Sequence, residues 1–159
     1  MSNYNLIHNN TNRRHIGTII FSNINEATTA SKQIPVDILI YVGEGPIPHF
    51  HMVSKDKSFD CCVCIFDNYY FNHGTHQSVL NTTQRKKLNE FLSSLNQESL
   101  SMTFWESIRF VWIINNKYTD GRRDHYPLNQ PDYTEIRPFS EYKTKKKSEK
   151  AYIKRLYNR

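Results

Sequence analysis

Glycine is scarce in this chain of 159 residues, with five in all, and none falls in a phosphate-cradling Gly-rich loop, which leaves little room for the nucleotide-binding folds built on one. A Gly-x-Ser-x-Gly elbow is also missing, so nucleophilic hydrolysis of that kind has no marker. No run approaches the roughly 20 apolar residues of a membrane-spanning helix, and the opening MSNYNLIHNNTNRRH lacks the apolar core of a signal peptide. A cytoplasmic protein of a bacterial host cell is therefore expected. Cysteine is limited to Cys61, Cys62 and Cys64, an odd number crowded on what reads as one strand. Adjacent strand residues point to opposite faces and cannot form an unstrained disulfide, so the expectation is three thiols in a reducing compartment.

What the chain does have is basic charge, and its placement matters more than its total. The formal net charge is +6. From Ser140 to Arg159 there are eight basic residues against two acidic ones, which equals the whole imbalance, and the preceding 139 residues carry 13 of each sign. The body is neutral and the tail is cationic. Asn, Lys, Ile and Tyr are abundant, a composition that hints at an AT-rich coding genome such as a phage or a low-GC bacterium.

The length suits one domain with an appendage. Residues 1–14 are polar and aperiodic, the signature of a flexible arm. A β-rich run, Ile16 to Phe21, opens an α+β domain expected over 15–116. Asn23 to Gln33 reads as a loop or short helix that Pro35 ends. Val36 to Val42 is a continuous apolar, β-branched and aromatic run of strand length, closed by the breakers Gly43, Gly45, Pro46 and Pro48. His49 to Ser54 and Phe59 to Phe66 read as a hairpin across Lys55-Asp56-Lys57-Ser58, with Phe59, Cys61, Val63 and Ile65 on the core face. A short strand over Tyr69 to Phe71 follows.

Two helices come next, each with a capping box that satisfies free backbone donors at its start. The first opens at Asn81 or Thr82 with Gln84 in the reciprocal position, and the second opens at Thr103 with Glu106. Leu88, Phe91, Leu92 and Leu95 give the first an apolar face; Phe104, Trp105, Ile108, Val111 and Trp112 give the second one. The spacing thus predicts a small, mostly antiparallel sheet covered by two amphipathic helices. Residues 117–139, with Gly121, Pro127, Pro131 and Pro138, read as an irregular connecting segment, and 140–159 as a basic helical tail.

The most pointed chemistry lies in Pro46-Ile47-Pro48-His49-Phe50-His51. On a strand His49 and His51 project from one face and can meet one metal ion or one anionic ligand, while Phe50 points the other way. His73 and His76 form a second pair on a loop that could converge on the same site, with Glu44, Asp60 or Asp67 to complete it. The candidate cofactor is a divalent transition metal. The ordinary reading of strand histidines is a hydrogen-bonding role in a half-buried face. The cysteines read as small buried hydrophobes, although Cys62 and Cys64 could share a face with a metal. In the tail, Lys143, Lys147, Lys150 and Lys154 form one stripe of a helical wheel next to Tyr142, Tyr152, Ile153, Leu156 and Tyr157. With Arg155 these lysines could follow successive phosphates of a nucleic acid or meet an acidic protein surface; the bland reading is a solvated helix face.

Pro46, Pro48, His49, Phe50 and His51, followed by a hairpin, a helix and a Trp-containing helix, resemble a family of small bacterial and prophage proteins marked by a Pro-Pro-His-Phe-His motif. The resemblance spans roughly Val36 to Asn116, with Trp105 and Glu106 in reasonable positions but with reversed charge. The stretch Asp132-Tyr133-Thr134 is similar to one near the end of proteins carried by phages and mobile elements of gut bacteria. The resemblance implies a small α+β fold and a role in conflict between mobile elements and hosts, since some members sit in gene pairs that look like toxin–antitoxin modules. It implies no mechanism.

Three functions are consistent with these residues. The first is a non-enzymatic accessory protein of a phage or mobile element that binds nucleic acid or an acidic partner through its tail. The second is a metal-dependent hydrolase using the histidine set, and the third a virion component or protein inhibitor acting by surface recognition.

Overall fold

A computed structural model describes residues 13–24, 31–43, 47–72, 80–99, 101–115 and 126–140. Six strands form one sheet in strict chain order: β1 (Arg13–Ile24), β2 (Ser31–Tyr41), β3 (His49–Ser54), β4 (Asp60–Cys64), β5 (Tyr69–Phe71) and β6 (Arg137–Pro138). All neighbours are antiparallel except β5 and β6, which are parallel. Among the described residues, the helices α1 (Thr82–Ser93) and α2 (Phe104–Asn115) accompany the sheet in an α+β fold.

The strand runs form where β-branched and aromatic residues cluster, and they extend beyond the apolar cores. β1 continues to Ile24 and β2 begins at Ser31, so Pro35 lies within a strand instead of ending a loop. The missing N–H is tolerated because β3 pairs with β2 only from Val36 onward, leaving β1 as the sole neighbour at Pro35. The register of β1 shifts between His15 and Gly17. At Gly17 the stacked rings of Phe91 and Phe104, 4.2 Å apart at 20°, close over the backbone. A Cβ there would stand 3.0 Å from Phe104 Cε1 and 3.2 Å from Phe91 Cζ. Gly17→Ala should therefore cost about 1–2 kcal/mol by overpacking, measured by urea denaturation; an unchanged midpoint would show that the rings yield freely.

The hairpin turn between β3 and β4 is built from its own side chains. Ser54 Oγ accepts from the Phe59 amide at 2.9 Å and donates to Asp56 Oδ1 at 2.8 Å. The same carboxylate oxygen accepts from the Ser58 hydroxyl at 2.7 Å and the Ser58 amide at 3.0 Å. Lys57 takes the left-handed conformation that closes the turn, with φ of 64°. The Ser58 hydroxyl and amide, then the Ser54 hydroxyl, pull the Asp56 pKa down to about 2. A carboxylate depressed in this way supports the turn above its ordinary pKa, and that support disappears as pH falls through about 2. The turn sets the register of β3 on β4: His49 opposite Cys64, His51 opposite Cys62, Met52 opposite Cys61.

Both capping boxes form. Asn81 Oδ1 accepts from the Gln84 amide and Gln84 Oε1 from the Asn81 amide; Thr103 and Glu106 exchange the same pair of bonds. Leu88 and Leu92 are buried on α1, and Trp105, Ile108, Val111 and Trp112 on α2. Leu95 departs from the expected face: α1 stops at Ser93, Ser94 leaves in an extended conformation, and Leu95 is 62% exposed. The core contains Ile19, Phe21, Val36, Ile38, Ile40, Phe50, Met52, Cys61 and Val63 from the sheet, together with these helical side chains.

The segment read as an irregular connection returns to the domain. Tyr126, Tyr133, Ile136 and Phe139 are buried in the same core, and Arg137–Pro138 supplies the sixth strand, its Arg137 amide donating to Asn68 O at 3.0 Å. Arg109 on α2 grips the carbonyls of Tyr126 and Pro127, and Asn89 Oδ1 on α1 accepts from the Tyr133 amide. Asp132 caps a short 3-10 turn over Tyr133–Glu135. Tyr133 thereby becomes a buried anchor, its hydroxyl donating to the carbonyls of Cys64 at 2.8 Å and Ile65 at 3.0 Å.

Candidate metal centre

Period-2 alternation puts His49 and His51 on one face of β3, and the hairpin register puts Cys62 and Cys64 beside them on β4, because directly opposed residues of antiparallel strands project to the same side. This face is opposite to the one bearing Phe50, Met52, Cys61 and Val63. Both faces of β3 are covered, and every residue of the strand is buried. His49 is 6% exposed and His51 5%; Cys62 is wholly enclosed.

Three of these side chains converge. One ligand atom each from His49, His51 and Cys62 lie within 4.8 Å of one another. Cys62 Sγ is 3.6 Å from His51 Nδ1. Zinc bonds of about 2.0–2.1 Å to nitrogen and 2.3 Å to sulfur give a tetrahedral N···S edge of about 3.6 Å, so this pair already has the spacing of two ligands on one ion. Bringing in the third requires a contraction of at most about 1.5 Å, since a tetrahedral N···N edge on zinc is about 3.3 Å. His49 Nδ1 lies 2.7 Å from the carbonyl of Ile47. Donation to that carbonyl fixes the tautomer and turns Nε2 into the basic nitrogen, as the outer-shell partner of a metal-bound histidine does.

The surroundings are aromatic. The His51 ring meets Tyr41 edge to face at 4.5 Å, and the His49 ring lies 5.0 Å from His51, 5.2 Å from Phe71 and 5.7 Å from Trp112. Rings hold the two imidazoles in place and lower the local dielectric, strengthening any charge interaction within.

Of the four histidines expected to act together, the fold brings His49 and His51 into one site. His73 and His76 lie outside the described residues, as do Glu44 and the tail residues Lys143, Lys147, Lys150, Lys154 and Arg155. Asp60 sits opposite Val53, and neither it nor Asp67 belongs to the cluster. Cys62 is the residue that sequence reasoning undervalued. The signal was present in the hairpin, since a turn confined to Lys55–Ser58 places position 62 across from position 51.

The remaining cysteines serve packing. Cys61 is in the core on the opposite face, where burial pushes its thiol well above the ordinary range. With all three thiols buried, native protein should react slowly with a disulfide reagent and release three equivalents at once in denaturant. A fast equivalent in the native state would mean that the pocket opens.

On the same face, a surface cleft of about 530 Å³ is lined by Arg13, Thr18, Asp37, Lys55 and Lys57 among others. Asp37 is engaged there by Thr18 Oγ1 at 2.7 Å and His15 Nε2 at 3.2 Å. Among the described residues no helix is long and apolar enough to cross a membrane. Comparison of the chain with protein-family models, with curated proteins and with solved structures gives no match.

Proposed function

We propose that this protein is a transition-metal-binding α+β module in which His49, His51 and Cys62 hold the ion. One observation carries the reading: two imidazoles and a thiol from adjacent strands converge within 4.8 Å inside an aromatic enclosure. A hydrolytic metal keeps a coordination position open to water and substrate. The low exposure of both histidines favours a closed site over the hydrolase alternative. The test is elemental analysis of untagged protein beside its His49→Ala/His51→Ala variant. About one metal per chain, lost in the variant, is expected; absence of metal from the parent protein sinks the reading.

A second activity rests on charge. The excess of six positive charges after residue 139, on an otherwise neutral body, supports binding of nucleic acid or an acidic partner through Lys143, Lys147, Lys150, Lys154 and Arg155. An accessory role in a phage or mobile element accords with the resemblance around Pro46–His51, and action as a virion component or protein inhibitor would use the same surface. Removal of residues 140–159 should abolish binding to DNA and RNA at low salt, with affinity falling steeply as salt rises. Unaltered binding, or none to lose, rejects the nucleic-acid role.

A further inference from the structure

The charge of the ligand set narrows the metal. Building on the proposed centre, we infer that His49, His51 and Cys62 form a site for monovalent copper, and that divalent zinc is the weaker occupant. Binding replaces the Cys62 S–H bond with a sulfur–metal bond and releases that proton to solvent. Two neutral imidazoles and one thiolate then surround the ion. With Cu(I) the complex is neutral. With Zn(II), or any other divalent ion, it keeps a positive charge.

That difference would be small at a surface and is large here. His49 and His51 are 6% and 5% exposed, Cys62 is wholly buried, and the walls are Tyr41, Phe71 and Trp112. An uncompensated charge in such surroundings carries a heavy desolvation penalty. Among the described residues no carboxylate belongs to the cluster, so none of them is a ligand that would neutralise a divalent ion. A further neutral histidine joining from elsewhere in the chain would leave this balance unchanged. A thiolate with imidazoles suits copper and zinc alike, so coordination number separates them, because Cu(I) accepts three ligands readily. Zinc in a closed site takes four.

The experiment uses the untagged full-length chain, reduced with a non-thiol reductant under anaerobic conditions. Cu(I) is titrated against bicinchoninate and Zn(II) against a pyridylazo chelator, and the copper form is then examined by X-ray absorption. The expected result is one Cu(I) per chain with one sulfur and two or three nitrogen scatterers. Zinc should bind at least about a thousandfold more weakly, the scale set by one buried, unbalanced charge. Cys62→Ser should erase the preference, while Cys64→Ala, on the same face but outside the cluster, should keep it. The absorption measurement on the parent protein decides the matter even where a variant fails to fold. Comparable zinc affinity, or a copper shell with no sulfur or with several, overturns the copper assignment and leaves the metal centre standing. Failure to bind either ion overturns both.

Discussion

Trp105→Ala should lower the unfolding free energy by about 3–5 kcal/mol, the range for deleting a large aromatic from a packed core. A domain of ordinary stability has only about 5–15 kcal/mol in total. The side chain is 1% exposed, meets Phe66 edge to face at 6.2 Å, and donates from Nε1 to the carbonyl of Ile65 at 2.9 Å. It therefore joins α2 to the chain just beyond β4 by packing and by hydrogen bonding together. Trp105→Phe separates the two contributions, keeping most of the apolar volume and losing the donor, for a cost of about 1–3 kcal/mol. Guanidinium melts of both variants, read by circular dichroism, test the prediction. A loss below about 1 kcal/mol for the alanine variant would mean that the helix docks by other contacts.

Tyr133→Ala should have an effect of similar size, about 3–5 kcal/mol, although it lies in a segment with little regular structure. The ring is fully buried against Phe50, 6.4 Å away, and the hydroxyl bridges the carbonyls of Cys64 and Ile65. Burial pushes its pKa far above the usual tyrosine range, so the phenol stays protonated and remains a donor throughout the physiological range. Tyr133→Phe should cost about 1–2 kcal/mol, because Trp105 still serves Ile65 O. With both Trp105→Phe and Tyr133→Phe, that carbonyl loses its two side-chain donors. The double variant should then be less stable than the sum of the singles by about 0.5–1 kcal/mol. Strict additivity would show that the two donors act separately. A Tyr133→Ala protein as stable as the parent would make residues 126–139 an appendage.

Local chemistry was the legible part of this chain. Asn81 with Gln84 and Thr103 with Glu106 marked both helix starts because a capping box depends on residues only three apart. The apolar run in β2 and the turn between β3 and β4 were equally local. Leu95 continued the helical spacing past the point where the backbone leaves the helix, a decision made at Ser94 and invisible to periodicity. The return of Arg137–Pro138 to the sheet depends on contacts between residues nearly 70 positions apart, and no local pattern encodes them. The site divides along the same line. His49 and His51 could be paired from strand alternation, whereas their approach to Cys62 required the register, and the three neighbouring cysteines read more simply as buried hydrophobes.

The strict chain order of the strands has a kinetic consequence. From β1 to β5 each strand joins the one made just before it, so the sheet can zip up through short loops at little entropic expense. Among the described strands only the pairing of Tyr69 with Arg137 closes a long loop, and Asn89 and Arg109 on the two helices hold the returning chain. Contacts that form late contribute to the unfolding barrier more than to the folding rate. The pairing with the largest loop to close is expected to form late, so weakening this two-residue strand should speed unfolding more than it slows folding.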